Sequence, residues 1–165
     1  MAKNKSTNPK RTPTSLSEPT KLNSSEVEKL LRNAWAAKAI LRTVILAVKA
    51  QEDGSISYDD KAGTERWSPA LGEVCCRLGL VRDVLMNNGD HLAIDWYTPL
   101  ILAEALDAAL WHGYTCAQQV RLDCEEFTCA AQVVVDSIDE LLIHCDDAGL
   151  LATPRESSAS NSCNI

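Results

Sequence analysis

The sequence predicts an all-α fold: a compact bundle of four to five helices with disordered N- and C-terminal tails. Three observations lead there. Apolar residues return at intervals of three and four through several stretches, the spacing of one helix face. Helix-start signals stand at the heads of those stretches: Ser25 with Glu28, Ser68-Pro69, Thr98-Pro99 and Asp123 with Glu126. Aromatics are only 5% of the 165 residues and one is Phe, so the core must be aliphatic and alanine-rich. Such a core favours packed helices over a strand sandwich.

The first helix is expected over 26–51, opened by a capping box of Ser25 and Glu28. Val27, Leu30, Leu31, Ala34, Leu41, Val44, Ile45 and Val48 recur at helical spacing, and Ile40, Leu46 and Ala47 widen the arc, which implies more than one packing neighbour. Lys38, Arg42 and Lys49 fall in a narrow strip beside it. A polar loop follows over 53–66, with a short strand at Ile56 and Tyr58. Ser68 then caps a second helix, with Pro69 at the first helical position, and turns Leu71, Val74, Cys75 and Leu78 inward. Gly79 is read as an interruption, with a further short helix over 81–86 ended by Asn88-Gly89. Because Asn-Gly is also a favoured hairpin turn, a short hairpin near 84–96 is the rival reading. Thr98-Pro99 opens another helix, whose stripe runs Leu102, Leu106, Ala109, Leu110, Ala117, Val120 and Cys124, with Gly113 as a break point.

The last helix is the clearest. Asp123 and Glu126 form a capping box bracketed by the staple pair Leu122 and Phe127. Phe127, Ala131, Val134, Ile138, Leu141, Cys145 and Ala148 follow at alternating four and three spacing. Gly149 is the expected left-handed terminator, with Leu150 folding back on Cys145.

Charge divides the chain. The formal net charge is −7, yet the first 22 residues carry +4 and the remainder −11. Residues 1–23 read as a disordered basic tail, 24–152 as the helical domain and 153–165 as a second disordered, polar tail. No apolar run is long enough to span a membrane or to serve as a secretory signal, and a cytoplasmic location is expected. No two glycines lie closer than Gly72 and Gly79, which excludes the phosphate-cradling glycine loops. The seven cysteines are an odd count with no C-x-x-C pair, and buried free thiols are expected.

Four constellations bear on function. The run from Val74 to Leu85, with Cys75 four residues before Gly79, resembles the core of a helix-turn-helix DNA-binding motif. That resemblance implies a groove-reading second helix with Arg77, Arg82, Asp83 and Asn87 as the contacting residues. The acidity of the folded part opposes it, since DNA affinity rests on phosphate neutralisation, and nucleic acid is disfavoured as a partner. His112 with Cys116, and His144 with Cys145, Cys124 and Cys129, hold metal-ligand chemistry without a diagnostic spacing, so neither metal nor cofactor is expected. No nucleophile has an adjacent base and orienting group, so no catalytic residue is assigned. The fourth constellation is the outer face of the last helix. Asp136, Asp139, Glu140, Asp146 and Asp147 stand opposite the core stripe with Ile143 and Cys129 among them and Val133 and Val135 on the flanks. Apolar groups ringed by charge are the pattern of an interface. The competing internal reading pairs the Lys38, Arg42 and Lys49 strip with these acids.

The sequence therefore points to a small non-enzymatic protein that regulates or neutralises a basic protein partner. The expected contact residues are Asp136, Asp139, Glu140, Ile143 and Asp147. A two-fold homodimer through this helix is allowed but opposed by like charge. The Ser/Thr-rich, acid-poor N-terminus also resembles the export region of bacterial effectors delivered without a cleaved signal, which implies export through residues 1–25.

Overall fold

The computed structural model describes residues 22–54, 64–87, 94–115 and 122–151. Within them lie four helices: α1 (Ser24–Glu52), α2 (Ser68–Asn87), α3 (Tyr97–Thr115) and α4 (Cys124–Asp147), with a 3-10 turn at Thr64–Trp67 before α2. There is no strand among the described residues. Each helix packs on its two neighbours in a closed ring: α1 on α2 and α4, α3 on α2 and α4. Side-chain pairing fixes the α1–α4 direction. Lys38 meets Asp139, while Leu31 and Trp35, further toward the start of α1, share a groove with Leu142, Ile143 and Asp146, further toward the end of α4. The two therefore run antiparallel, as in an up-down bundle.

α1 begins one turn-fraction earlier than the sequence signal placed it. The cap is Asn23, not Ser25: Asn23 Oδ1 accepts from the Glu26 amide at 3.0 Å, and the Glu26 carboxylate accepts from the Asn23 amide at 2.9 Å. The staple decides between two equally good cap sequences. With Asn23 as cap, the bracketing residues are Leu22 and Val27, both buried. With Ser25 as cap they would be Ser24 and Lys29, which bury nothing.

α2 corrects the largest expectation. Gly79 does not interrupt it; the helix runs unbroken through Gly72 and Gly79 to Asn87. The reason is phase. Leu71, Val74, Leu78, Val81 and Leu85 are all buried and keep one stripe across the glycine. Glycine in a helix interior costs only about 1 kcal/mol, whereas burying each large aliphatic contributes about 1.5–3 kcal/mol. Gly79 has no positive φ, and a Cβ added there would meet nothing within 4 Å. Gly79→Ala is thus expected to stabilise the protein by about 0.5–1 kcal/mol, read as a rise in urea midpoint at unchanged slope. A turn glycine would respond with a loss.

The hairpin expectation is corrected at both ends: 84–87 are helical and Ile94 to Trp96 form no strand, while 88–93 lie outside the described residues. Ser68 does not cap α2 with its hydroxyl but donates to Asp107 Oδ1 of α3 at 2.6 Å. The α3 cap is Asp95, not Thr98. Its carboxylate accepts the Tyr97 and Thr98 amides at 3.2 and 3.0 Å and also the Thr98 hydroxyl. Hydrogen bonds from that hydroxyl and then from the amides hold the Asp95 carboxyl below the usual carboxylate range. α3 continues through Gly113, and its buried stripe is Leu100, Ala103, Leu106 and Leu110, with Ala109 exposed.

α4 follows the sequence except at its end, where the stripe stops at Cys145 and Ala148 is the exposed C-cap. Asp123 and Glu126 exchange both capping-box bonds, at 2.7 and 3.1 Å. Gly149 takes φ +70, with Leu150 N donating to Cys145 O at 3.0 Å and Gly149 N to Asp146 O at 2.8 Å. These two bonds satisfy the end carbonyls of α4 and send Leu150 back into the core, where it is buried. The expected tails, the strand at Ile56 and Tyr58, and residues Ala117 and Val120 lie outside the described residues.

Candidate functional site: the acidic groove between the first and last helices

The α4 residues opposite the buried stripe of Phe127, Ala131, Val134, Ile138, Leu141 and Cys145 form an acidic outer face. Asp136, Glu140, Asp146 and Asp147 are exposed, and Asp136 accepts a hydrogen bond from Gln132 Nε2 at 2.8 Å. Asp139 lies at the edge of the face and is half-buried, where it forms an ion pair with Lys38 of α1. Of the cationic strip on α1, only Lys38 reaches the acids; Arg42 and Lys49 are exposed and form no ion pair among the described residues. The internal pairing therefore accounts for one carboxylate of the face.

Ile143 is 57% exposed and Val133 53%. Val135, expected on the flank, is fully buried. Beside Ile143 an open groove of about 590 Å³ runs between α1 and α4, lined by Leu31, Trp35, Asp139, Leu142, Ile143, Asp146 and Leu151. Each element has a local cause. The Asp139–Lys38 pair bridges the two helices there, and the reversal at Gly149 brings Leu151 to the groove. Trp35 stands between Ala34 and Ala37, which are buried, but points outward and is 60% exposed.

Trp35 escaped the sequence reading. Its signal was phase: at about 100° per residue it lies on the far side of α1 from Leu30, Ala37 and Leu41. A large aromatic residue at a polar phase is the mark of a surface contact, since Trp is among the residues enriched at interfaces. Leu46, read as part of the widened core arc, is likewise outside it at 67% exposure.

A second feature of α4 works against the helix dipole. Asp146 and Asp147 occupy its last turn, where the helix dipole disfavours anions by about 0.3–1 kcal/mol each. His144 is the basic group in that turn and is exposed.

The helix-turn-helix residues are placed differently from what that resemblance implied. All lie on the single helix α2, so no turn separates a supporting from a reading helix. Arg77 donates to Glu73 at 2.7 Å and to Asn33 Oδ1 at 3.2 Å. Asn33 is buried and in turn donates to the Lys29 carbonyl at 2.7 Å, so Arg77 completes a buried polar group of α1. Arg82 is bound to its neighbour Asp83, and Asn87 is exposed at the end of the helix. The turn at Gly79 that the helix-turn-helix resemblance implied for Arg77, Arg82, Asp83 and Asn87 is therefore absent from α2.

The soft-ligand residues do not converge. His144 is exposed while Cys145 is fully buried, and no group of three His, Cys, Asp or Glu is placed to hold an ion among the described residues. The His112 side chain and Cys116 lie outside them. Burial pushes the Cys145 thiol up to about 11. Burial, then the carboxylates of Asp107 and Glu104, do the same for Cys75. Both thiols are thus protonated and weakly nucleophilic at neutral pH. No helix among the described residues is long and apolar enough to cross a membrane. Compared with family models, curated proteins and solved structures, the chain matches none.

Proposed function

We propose that this protein is a non-enzymatic binding protein that captures and regulates a basic protein partner through the outer face of α4. The observation that carries the reading is the juxtaposition of Trp35 and Ile143, two large exposed apolar side chains, in a groove rimmed by Asp139 and Asp146. An apolar centre with a charged rim is the general plan of an interface, with tryptophan as a preferred anchor. The carboxylates of Asp136, Glu140 and Asp147, which form no ion pair among the described residues, extend the rim. They attract a cationic partner over distances of about a Debye length, which raises its association rate. The carboxylates in the last turn of α4 also favour this reading, because they cost helix stability and form no ion pair among the described residues.

Affinity capture from native lysate, with and without nuclease, identifies the companion as protein. The variant Asp136→Asn, Glu140→Gln, Asp147→Asn then tests the face. These residues are exposed, so the fold is expected to be unchanged. Association with the captured partner at low salt is expected to slow about tenfold or more, and its salt dependence to flatten. Capture that is identical in rate and salt dependence would overturn the reading.

A further inference from the structure

We propose that the groove between α1 and α4 is a receptor for one arginine side chain of the basic partner, with the guanidinium between Trp35 and Asp146. This rests on the reading of α4 as a basic-partner face and narrows it to a single chemical group. The charge of the groove is one cation short. Its lining contains two carboxylates, Asp139 and Asp146, and Lys38 neutralises the first. Asp146 is exposed and has no cationic partner among the described residues.

The remaining lining selects among cations. Leu142 and Ile143 offer an apolar wall to a long aliphatic stem, and lysine and arginine both bury such stems while keeping the head in water. Trp35 adds an aromatic face, 60% exposed. Arginine uses that face better than lysine: its planar guanidinium stacks on the indole, is weakly hydrated, and still presents donors in its own plane to a carboxylate. A hydrated ammonium gains from Asp146 but little from stacking. The arrangement therefore discriminates arginine from lysine where the rest of the acidic face, made of separate exposed carboxylates, does not.

The test uses the full chain and three synthetic nine-residue peptides of Gly and Ser with a central Leu-X-Leu, X being Arg, Lys or citrulline. Binding is followed by NMR at the backbone amides of Leu142, Ile143 and Asp146, which are present in every variant, with polylysine as a fourth probe for the face as a whole. The Arg peptide is expected to bind about three- to tenfold more tightly than the Lys peptide, and the uncharged citrulline peptide most weakly. Trp35→Ala removes the preference for Arg over Lys. Asp146→Asn weakens both peptides and leaves the preference in place. Both substitutions are at exposed positions, and thermal unfolding reports whether the fold is retained. Equal binding of Arg and Lys peptides, or a preference that survives Trp35→Ala, overturns the arginine receptor. Polylysine that binds while neither short peptide does overturns it too, with the acidic-face reading intact. Failure of polylysine to bind at low salt overturns the acidic-face reading itself.

Discussion

Phe127→Ala is expected to lower the unfolding free energy by about 3–5 kcal/mol, since Phe127 is the largest fully buried side chain among the described residues. Phe127 is the one phenylalanine and has no exposed surface. It sits in the first full turn of α4, directly after the capping box, with Leu122 as its staple partner. Truncation removes the transfer energy of the ring and leaves a cavity in the helical core. Native domains of this size are stable by about 5–15 kcal/mol, so a large part of the total is lost. The acidic outer face goes with it, because α4 holds its acids outward only while its stripe is held inward. Equilibrium urea unfolding checks the magnitude. Phe127→Leu, which keeps most of the volume, is expected to cost less than about 1.5 kcal/mol. A loss below about 1 kcal/mol for Phe127→Ala would mean that the start of α4 is not packed as described.

The contrast between α4 and α2 explains how far the sequence could be read. On α4 every local signal agrees: capping box, staple, stripe and glycine terminator all place the helix in the same register. The acidic outer face follows from that register, which is why Asp136, Glu140, Ile143 and Asp147 were legible as exposed residues. On α2 the signals conflict. Gly79 locally favours a break, while the stripe from Leu71 to Leu85 demands continuity, and burial outweighs the glycine penalty. At the start of α1 two cap sequences compete within two residues, and only the burial of Leu22 chooses between them.

The groove was illegible for a different reason. It is made by the register between α1 and α4, which no single-helix pattern contains. Periodicity says that Trp35 points away from the core and that Ile143 does the same. It does not say that the two helices are neighbours, or that Lys38 takes Asp139 out of the available charge. The split of the Lys38, Arg42 and Lys49 strip, one residue paired and two without an ion pair among the described residues, is likewise a result of packing rather than spacing.

Alkaline pH is expected to remove stability that resides in the buried thiols. Cys145 is fully buried and its thiol is pushed up to about 11 by desolvation, from 9.0 in an exposed setting. The fold therefore prefers the protonated form. Below pH 9 both folded and unfolded chains keep that proton, and the stabilising contribution is fully present. Between pH 9 and about 11 the unfolded chain ionises while the folded one does not, so stability falls as pH rises and the contribution is gone above the folded value. Two units correspond to about 3 kcal/mol. Cys75, partly exposed and also raised by Asp107 and Glu104, adds a smaller loss in the same window. The difference in unfolding free energy between the wild type and Cys145→Ala isolates the effect, because lysine and tyrosine titration is common to both proteins. Wild type is expected to be the more stable at pH 7.5 and to lose that lead by pH 11; a lead that stays constant would show that the thiol is not desolvated. The same burial separates the cysteines chemically. An alkylating reagent at neutral pH should mark exposed Cys76 and Cys129 and reach Cys145 only on unfolding. Since Cys129 lies on the outer face of α4, its protection by a bound partner would report how far that partner extends from the groove toward the start of the helix.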